Sequence, residues 1–211
     1  MPAPTADPSA LEAKRTAAVP CQRDEGAYRH DGLLLRSAPG LAVFHALVTG
    51  SVQAPRRTGV DGLGPTSSLE VGGTPARGLV VGGSLWTAQL DPVFVEDGRR
   101  ISSDDDSVKL TQLRIGPFVD FYPRPERGFH ASAGLGLVVE FESDTKGDAI
   151  KPIWYGASLA TAVGHEWFIA GEASLGILAR FALGSLRRSS GGVTESLSFV
   201  APELALTATY H

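Results

Sequence analysis

Residues 129–141 read Phe-His-Ala-Ser-Ala-Gly-Leu-Gly-Leu-Val-Val-Glu-Phe, and much of the chain repeats this alternation. Phe129, Ala131, Ala133, Leu135, Leu137, Val139 and Phe141 share one parity; His130, Ser132, Gly134, Gly136, Val138 and Glu140 share the other. A period of two is the signature of a β-strand, because successive side chains point to opposite faces. Residues 113–121 and 174–183 divide in the same way, large apolar residues against small ones with an occasional charge. Eight such segments are predicted, at about 33–47, 67–74, 78–90, 108–122, 129–141, 153–168, 174–186 and 194–211. The expected fold class is therefore all-β.

The connections sharpen that expectation. Thr74–Gly78, Pro123–Gly128 and Ala170–Ala173 are tight and rich in Pro or Gly, as hairpins require. The alternate connections, 48–66, 91–107 and 142–152, are long and polar, while 187–193 is shorter. All the short turns then fall at one end of an eight-stranded antiparallel up-and-down barrel, together with both chain termini. Sorting of loops by length is what a membrane-spanning barrel needs and a soluble meander does not.

Charge agrees. Of 19 basic and 23 acidic residues, the predicted strands hold only Arg36, Glu70, Lys109, Arg114, Asp120, Glu140, Glu166, Arg180, Glu195 and Glu203. Too few remain to cover the wet face of a soluble barrel. With the large apolar face inward, an eight-stranded interior would be overpacked. With it outward into lipid, Gly, Ala and Ser suit a narrow lumen in which the few charges pair. The outward assignment is preferred, because a charge facing lipid costs about 2–4 kcal/mol near the midplane and the apolar face carries almost none. Aromatic residues bracket the strands as interfacial girdles do: Phe129 and Phe141, Trp154 with Tyr155 and Trp167, Phe121 with Tyr122.

Residues 1–31 are rich in Pro and Ala and read as a mostly disordered tail, with Ser9 and Glu12 forming a capping box for one short helix through Ala18. The barrel occupies 32–211. The first 22 residues hold no apolar h-region, so no secretory signal is read in them, and Cys21 follows Ala-Val-Pro without one, against a lipoprotein. One Cys excludes a disulfide scaffold, and a net charge of −4 argues against nucleic acid as a partner.

Gly32–Phe44, Leu69–Gly73, Gly116–Pro123, Gly128–His130 and Leu204–His211 carry a resemblance. They are similar to segments of small, largely uncharacterised bacterial outer-membrane β-barrel proteins, with the architecture of the eight-stranded OmpA-type and OmpX-type barrels. The likeness implies a bacterial outer-membrane location, contact with outer-membrane lipid, and recognition by the barrel assembly machinery through the C-terminal strand; the sequence does not set the oligomeric state, with a monomer favoured. Tyr210, with Ala208, Leu206, Leu204 and Val200 at alternate positions, fits that terminal signal, although His211 follows it and Pro202 interrupts it.

The expected site is a lumen charge network of Arg36, Glu70, Arg114, Asp120, His130, Glu140, Arg180 and Glu203, nearly balanced in sign and read as a salt-bridge plug that closes the barrel. The role expected is structural or adhesive, or that of a very narrow pore, with no enzymatic activity and no cofactor or metal. Two rivals stand beside it. One is an outer-membrane lipid-modifying enzyme: His130, Ser132 and Glu140 are the parts of an acyl-transfer triad, and His-x-Ser resembles the spacing in lipid A deacylases. That rival needs a triad converging at the level of the outer leaflet, whereas parity turns His130 into the lumen near the short-turn end, a strand length from Glu140. The other rival is a soluble lipocalin-like carrier, with Leu135, Leu137 and Ile177 pointing inward around a cavity.

Other motifs read as ordinary structure. Asp104, Asp105 and Asp106, with Glu96 and Asp97, lack EF-hand spacing and read as a solvated loop. His165-Glu166 does not begin HExxH, since Ile169 stands where the second His is needed. His45 reads as a strand residue near the external rim. Val71-Gly72-Gly73 and Val81-Gly82-Gly83 lack the following helix of a phosphate cradle.

Overall fold

The computed structural model describes residues 32–49, 58–96, 99–101, 108–144, 151–190 and 193–211. The expectations for the N-terminal tail, its short helix and Asp97 and Asp104–Asp106 fall outside these residues. The strands are β1 Leu33–Thr49, β2 Thr58–Ala76, β3 Leu79–Glu96, β4 Arg99–Ile101, β5 Val108–Phe121, β6 Phe129–Asp144, β7 Lys151–Ala170, β8 Ala173–Ser190 and β9 Val193–Tyr210. All pairings are antiparallel; setting aside the short β4, which only lengthens the β3 hairpin, every pairing but β1–β9 joins chain neighbours. The β1–β9 and β2–β3 pairings close the sheet into an eight-stranded up-and-down barrel. Among the described residues no helix is long and apolar enough to cross a membrane.

The short turns, Arg77–Gly78, Tyr122–Gly128 and Gly171–Glu172, lie at the end where Leu35 meets Tyr210. Gly78 and Gly128 adopt φ of +73° and +70°, a region that disfavours other residues. A Cβ on Gly128 would also meet the Glu166 carbonyl oxygen at 1.9 Å.

The strands reach further from this end than alternation predicts. β2 starts at Thr58 rather than near 67, and β8 and β9 run through most of 187–193. Gly59, Gly62, Gly64 and Pro65 give the first part of β2 a loop-like composition. Its extension comes instead from pairing, because β1 offers an unbroken ladder from Leu33 to Val48. Pro202 does not interrupt β9: the β8 ladder runs through it, while the β1 ladder skips it and also skips Pro39.

The large apolar residues face outward. Leu135 is 63% exposed, Leu137 69% and Ile177 47%, so the lipocalin-like arrangement is excluded. Phe181 is exposed too, and Leu113 and Val139 are register partners on the outer surface. On β1 the outward residues are apolar or uncharged from Leu33 to Val43, on β8 from Ala173 to Leu183, and on β9 from Tyr210 back to Val200. Each stretch is about 11 residues, the length with which a tilted strand crosses hydrocarbon. Above it come His45, Asp61, Asp91, Lys109 and Arg187; below it lie the turn charges Arg77, Glu126 and Glu172. Among the described residues no Asp, Glu, Lys or Arg faces outward between these two levels. Phe121, Phe129, Trp167 and Tyr210 ring the short-turn edge of the band, and Tyr155 marks the opposite edge. Trp154 and Tyr122, expected in the girdles, are instead buried inside the barrel, as their even parity requires.

Candidate functional site

The inner face holds two apolar clusters and a charge network. At the short-turn end Leu34, Val80, Phe118 and Tyr122 pack together. At the loop end a larger cluster includes Phe44, Trp86, Leu90, Val138, Trp154, Leu186, Leu197 and Phe199, with Phe44 and Phe199 stacked at 5.3 Å. The charges start beside the first cluster, where Arg36, His130, Glu166 and His211 share the short-turn end with Tyr122, and climb through Glu70, Arg180 and Glu203 toward the second. The interior is therefore not lined only by small residues, and apolar side chains close its outer half where a charged plug was expected.

The small residues have another task, as sockets for large ones. A Cβ on Gly164 would meet His130 Nε2 at 2.2 Å, one on Gly136 would meet Arg114 Cγ at 2.4 Å, and one on Gly184 would meet the Phe199 ring at 2.5 Å. Each glycine accepts a bulky side chain reaching across from a neighbouring strand, which fills a bore that strand number alone makes narrow.

Arg36 on β1 is the hub of the charge network. Its Nη1 donates to Glu70 at 2.8 Å, Nη2 to Asp120 at 2.8 Å and to the Tyr122 hydroxyl, and Nε to Glu166 at 3.1 Å. His130 Nδ1 lies 2.9 Å from Asp120, and its ring stacks on Tyr122 at 4.9 Å. Glu70 carries the chain upward to Arg180 at 2.8 Å, and Arg180 continues to Glu203 at 3.1 Å. Glu203 also accepts from Trp86 Nε1 at 2.8 Å and Thr66 Oγ1 at 2.9 Å. Below, Glu166 accepts from Thr209 at 2.7 Å and Ser174 at 3.1 Å, with His211 Nε2 3.3 Å away. Arg36–Glu70 and Arg180–Glu203 are direct cross-strand partners, so register alone sets their approach.

All eight sequence-predicted side chains are buried on the inner face. Arg36, Glu70, Asp120, His130, Arg180 and Glu203 belong to the continuous network. Arg114 does not: its guanidinium lies over the Trp86 ring at 5.0 Å, and it makes no ion pair among the described residues. It borders a cavity of about 20 Å³ with Glu70, Ser84, Ser132 and Arg180, room for a water molecule. Glu140 is also apart, hydrogen-bonded by Gln112 at 3.1 Å among the loop-end apolar residues. His130, Ser132 and Glu140 consequently form no triad: His130 is held by Asp120, and Glu140 sits with Gln112 and opposite Trp154.

Sequence reasoning missed Glu166, Tyr122 and His211 as members. Parity contained the first two, since Glu166 shares a face with Gly164 and Ala162, and Tyr122 with Asp120 and Phe118. The network thereby draws on every barrel strand: Arg36, Glu70, Trp86, Asp120, His130, Glu166, Arg180 and Glu203 come from β1, β2, β3, β5, β6, β7, β8 and β9. Among the described residues no cluster of His, Cys, Asp and Glu suits a metal ion.

No protein-family model matches the chain, and none of the curated proteins matches its sequence. Solved structures do match. The outer membrane protein OprG from Pseudomonas aeruginosa superposes with a TM-score of 0.53 at 13% identity, over 88% of this chain and 99% of that one. Neisserial surface protein A aligns at 0.46 and 14%, over 85% and 97%. Ail, the attachment invasion locus protein of Yersinia pestis, aligns at 0.39 and 12%, over 83% and 99%. At these identities the likeness is one of fold: a closed eight-stranded antiparallel barrel of the kind these small outer-membrane proteins have.

Proposed function

We propose that this chain is a bacterial outer-membrane barrel, with both termini on the periplasmic side and its long connections outside, acting as a closed structural or adhesive scaffold. The observation that carries the reading is the combination of a charge-free apolar band outside with a filled interior. Hydrocarbon tolerates the first. The second leaves a large apolar cluster toward the loop end, and a paired charge network packed with a smaller apolar cluster toward the short-turn end, where a conduit would need an open bore.

The strand ends support a role beyond the membrane surface. On β8 the segment Ser185–Ser190 continues past the apolar band, still paired with β9. At about 3.3 Å per residue and a tilt of about 40°, this collar stands roughly 15 Å clear of the hydrocarbon. It is a rigid mount on which the connections meet other surfaces. The outward row Val200, Leu204, Leu206, Ala208 and Tyr210 on β9 suits recognition by the assembly machinery, and the barrel closes on itself as a monomer.

Cell fractionation tests the placement. The chain is expected in the outer-membrane fraction, extracted only by detergent, with gel migration that shifts on boiling; recovery in the soluble fraction would overturn it. Planar bilayers test the closed interior. Wild-type protein is expected to give no conductance steps, and the double variant Phe44→Ala/Phe199→Ala to give them. Steady wild-type conductance would sink the scaffold reading.

A further inference from the structure

On the outer surface, just past the apolar band, three chemically apt residues stand side by side. His45 is the first outward residue of β1 beyond Val43, Asp61 is its direct partner on β2, and Ser198 is the first outward residue of β9 beyond Val200. His45 Nδ1 and Asp61 Oδ1 are 2.8 Å apart, with the two side chains 55% and 45% exposed. Ser198 is diagonal to His45, one row above its direct partner Val200. Such diagonals span about 7–8 Å, within reach of an imidazole. Gly59, opposite Leu47, leaves the adjoining surface without a side chain. A groove lined by His45, Leu47, Gly59, Asp61, Ser198 and Val200 runs along this face.

We propose that Asp61, His45 and Ser198 form an acyl-ester hydrolase site, with an ester-linked acyl chain of an outer-leaflet lipid as its substrate. The inference rests on the membrane placement proposed above and is independent of the closed interior. It revises the expectation of a non-enzymatic barrel, and it uses none of His130, Ser132 and Glu140.

Three features carry it. A carboxylate bonded to Nδ1 fixes the imidazole tautomer and leaves Nε2 as the base, the division of labour of a serine hydrolase. His45 Nε2 has no hydrogen-bond partner among the described residues, so that position is open. The depth is also right: the groove's lower edge is Val200, the top residue of the apolar band on β9, so a lipid lying against the barrel brings its ester to the polar row with its chain along the band below.

The chemistry closes without a further reactant than water. Ser198 Oγ adds to the ester carbonyl as its proton passes to His45 Nε2. The tetrahedral adduct collapses, its C–O bond breaks, and the departing lipid alkoxide takes that proton and leaves as the alcohol. Water then adds to the acyl-serine, giving its proton to His45, and the fatty acid is released as the Ser198 hydroxyl is restored.

The test uses the purified full chain in detergent, after its heat-modifiable migration has been verified, with a fluorophosphonate probe and two lipids, a diacyl phosphatidylglycerol and lipid A. One probe adduct per chain, mapped by mass spectrometry to Ser198, is expected, with fatty-acid release from at least one lipid. Which lipid is cleaved distinguishes a phospholipid substrate from a glycolipid one. Release falls about 100-fold or more in Ser198→Ala and His45→Ala, and less in Asp61→Asn. Ser196→Ala, the next outward serine, keeps wild-type release. A heat-modifiable wild-type chain that neither labels nor cleaves either lipid overturns the site, as does equal loss in Ser196→Ala. A chain that fails to enter the membrane overturns the placement, and the site falls with it.

Discussion

Gly164 and Gly83 are both strand glycines, and the barrel treats them oppositely. Gly164 faces inward beneath the His130 ring, whereas a Cβ on Gly83 meets nothing within 4 Å. Gly164→Ala must push the ring off Asp120 and Tyr122, and overpacking of this kind costs about 1–3 kcal/mol; its thermal midpoint in detergent is expected to fall, with that of Gly83→Ala unchanged. A common response of the two would show that strand propensity, not socket geometry, fixes the glycines. The same contrast explains how much of the interior was legible. Parity puts Arg36, Asp120 and Arg180 inside without any structure, because the opposite parity around each is a charge-free, largely apolar face that must meet the lipid. It does not say which side chain crosses into which socket. Parity therefore predicts Arg114 in the ion-pair network, whereas it lies on Trp86, and it leaves Glu166 and Tyr122, read as part of an incomplete metal motif and as a girdle aromatic, without their network role.

At the level of the strand, the outward face decides what each residue costs. Leu135 lies in mid-band on β6, and Ser185 lies on β8 beyond Leu183, where the band has ended. Leu135→Arg is expected to destabilise the barrel by about 2–4 kcal/mol and Ser185→Arg by about 0–1 kcal/mol in lipid vesicles, following depth. Equal effects would mean that hydrocarbon does not end between those two levels. The band itself was readable from alternation, because lipid selects every second residue. The collar above it was not. Water touches its outer face, so Gly59, Asp61, Ser196 and Ser198 suffice there, and the pairing that extends β2 and β9 is a property of their partners' lengths.

For the whole barrel, a seam with interrupted backbone pairing is also bridged by side chains. The β1–β9 ladder is broken near Pro39 and again near Pro202. Inside, Thr66 Oγ1 of β2 reaches across to Glu203 of β9 at 2.9 Å, and Arg36 Nε of β1 reaches Thr209 of β9 at 3.4 Å. Arg36→Met removes the cation shared by Glu70, Asp120 and Glu166, and stranding buried carboxylates costs about 3–5 kcal/mol. The folded, heat-modifiable fraction after refolding is expected to drop sharply for Arg36→Met and little for Arg114→Ala, whose guanidinium has no carboxylate to strand; equal losses would contradict the hub assignment. A deeper consequence follows from the direct opposition of Arg180 to Glu203 and Arg36 to Glu70. Sliding either strand by two residues would preserve the greasy exterior yet leave ions facing the wrong neighbours in a dry interior. The lattice thus proofreads alignment, rejecting at the moment of closure those near-miss cylinders that lipid alone would accept.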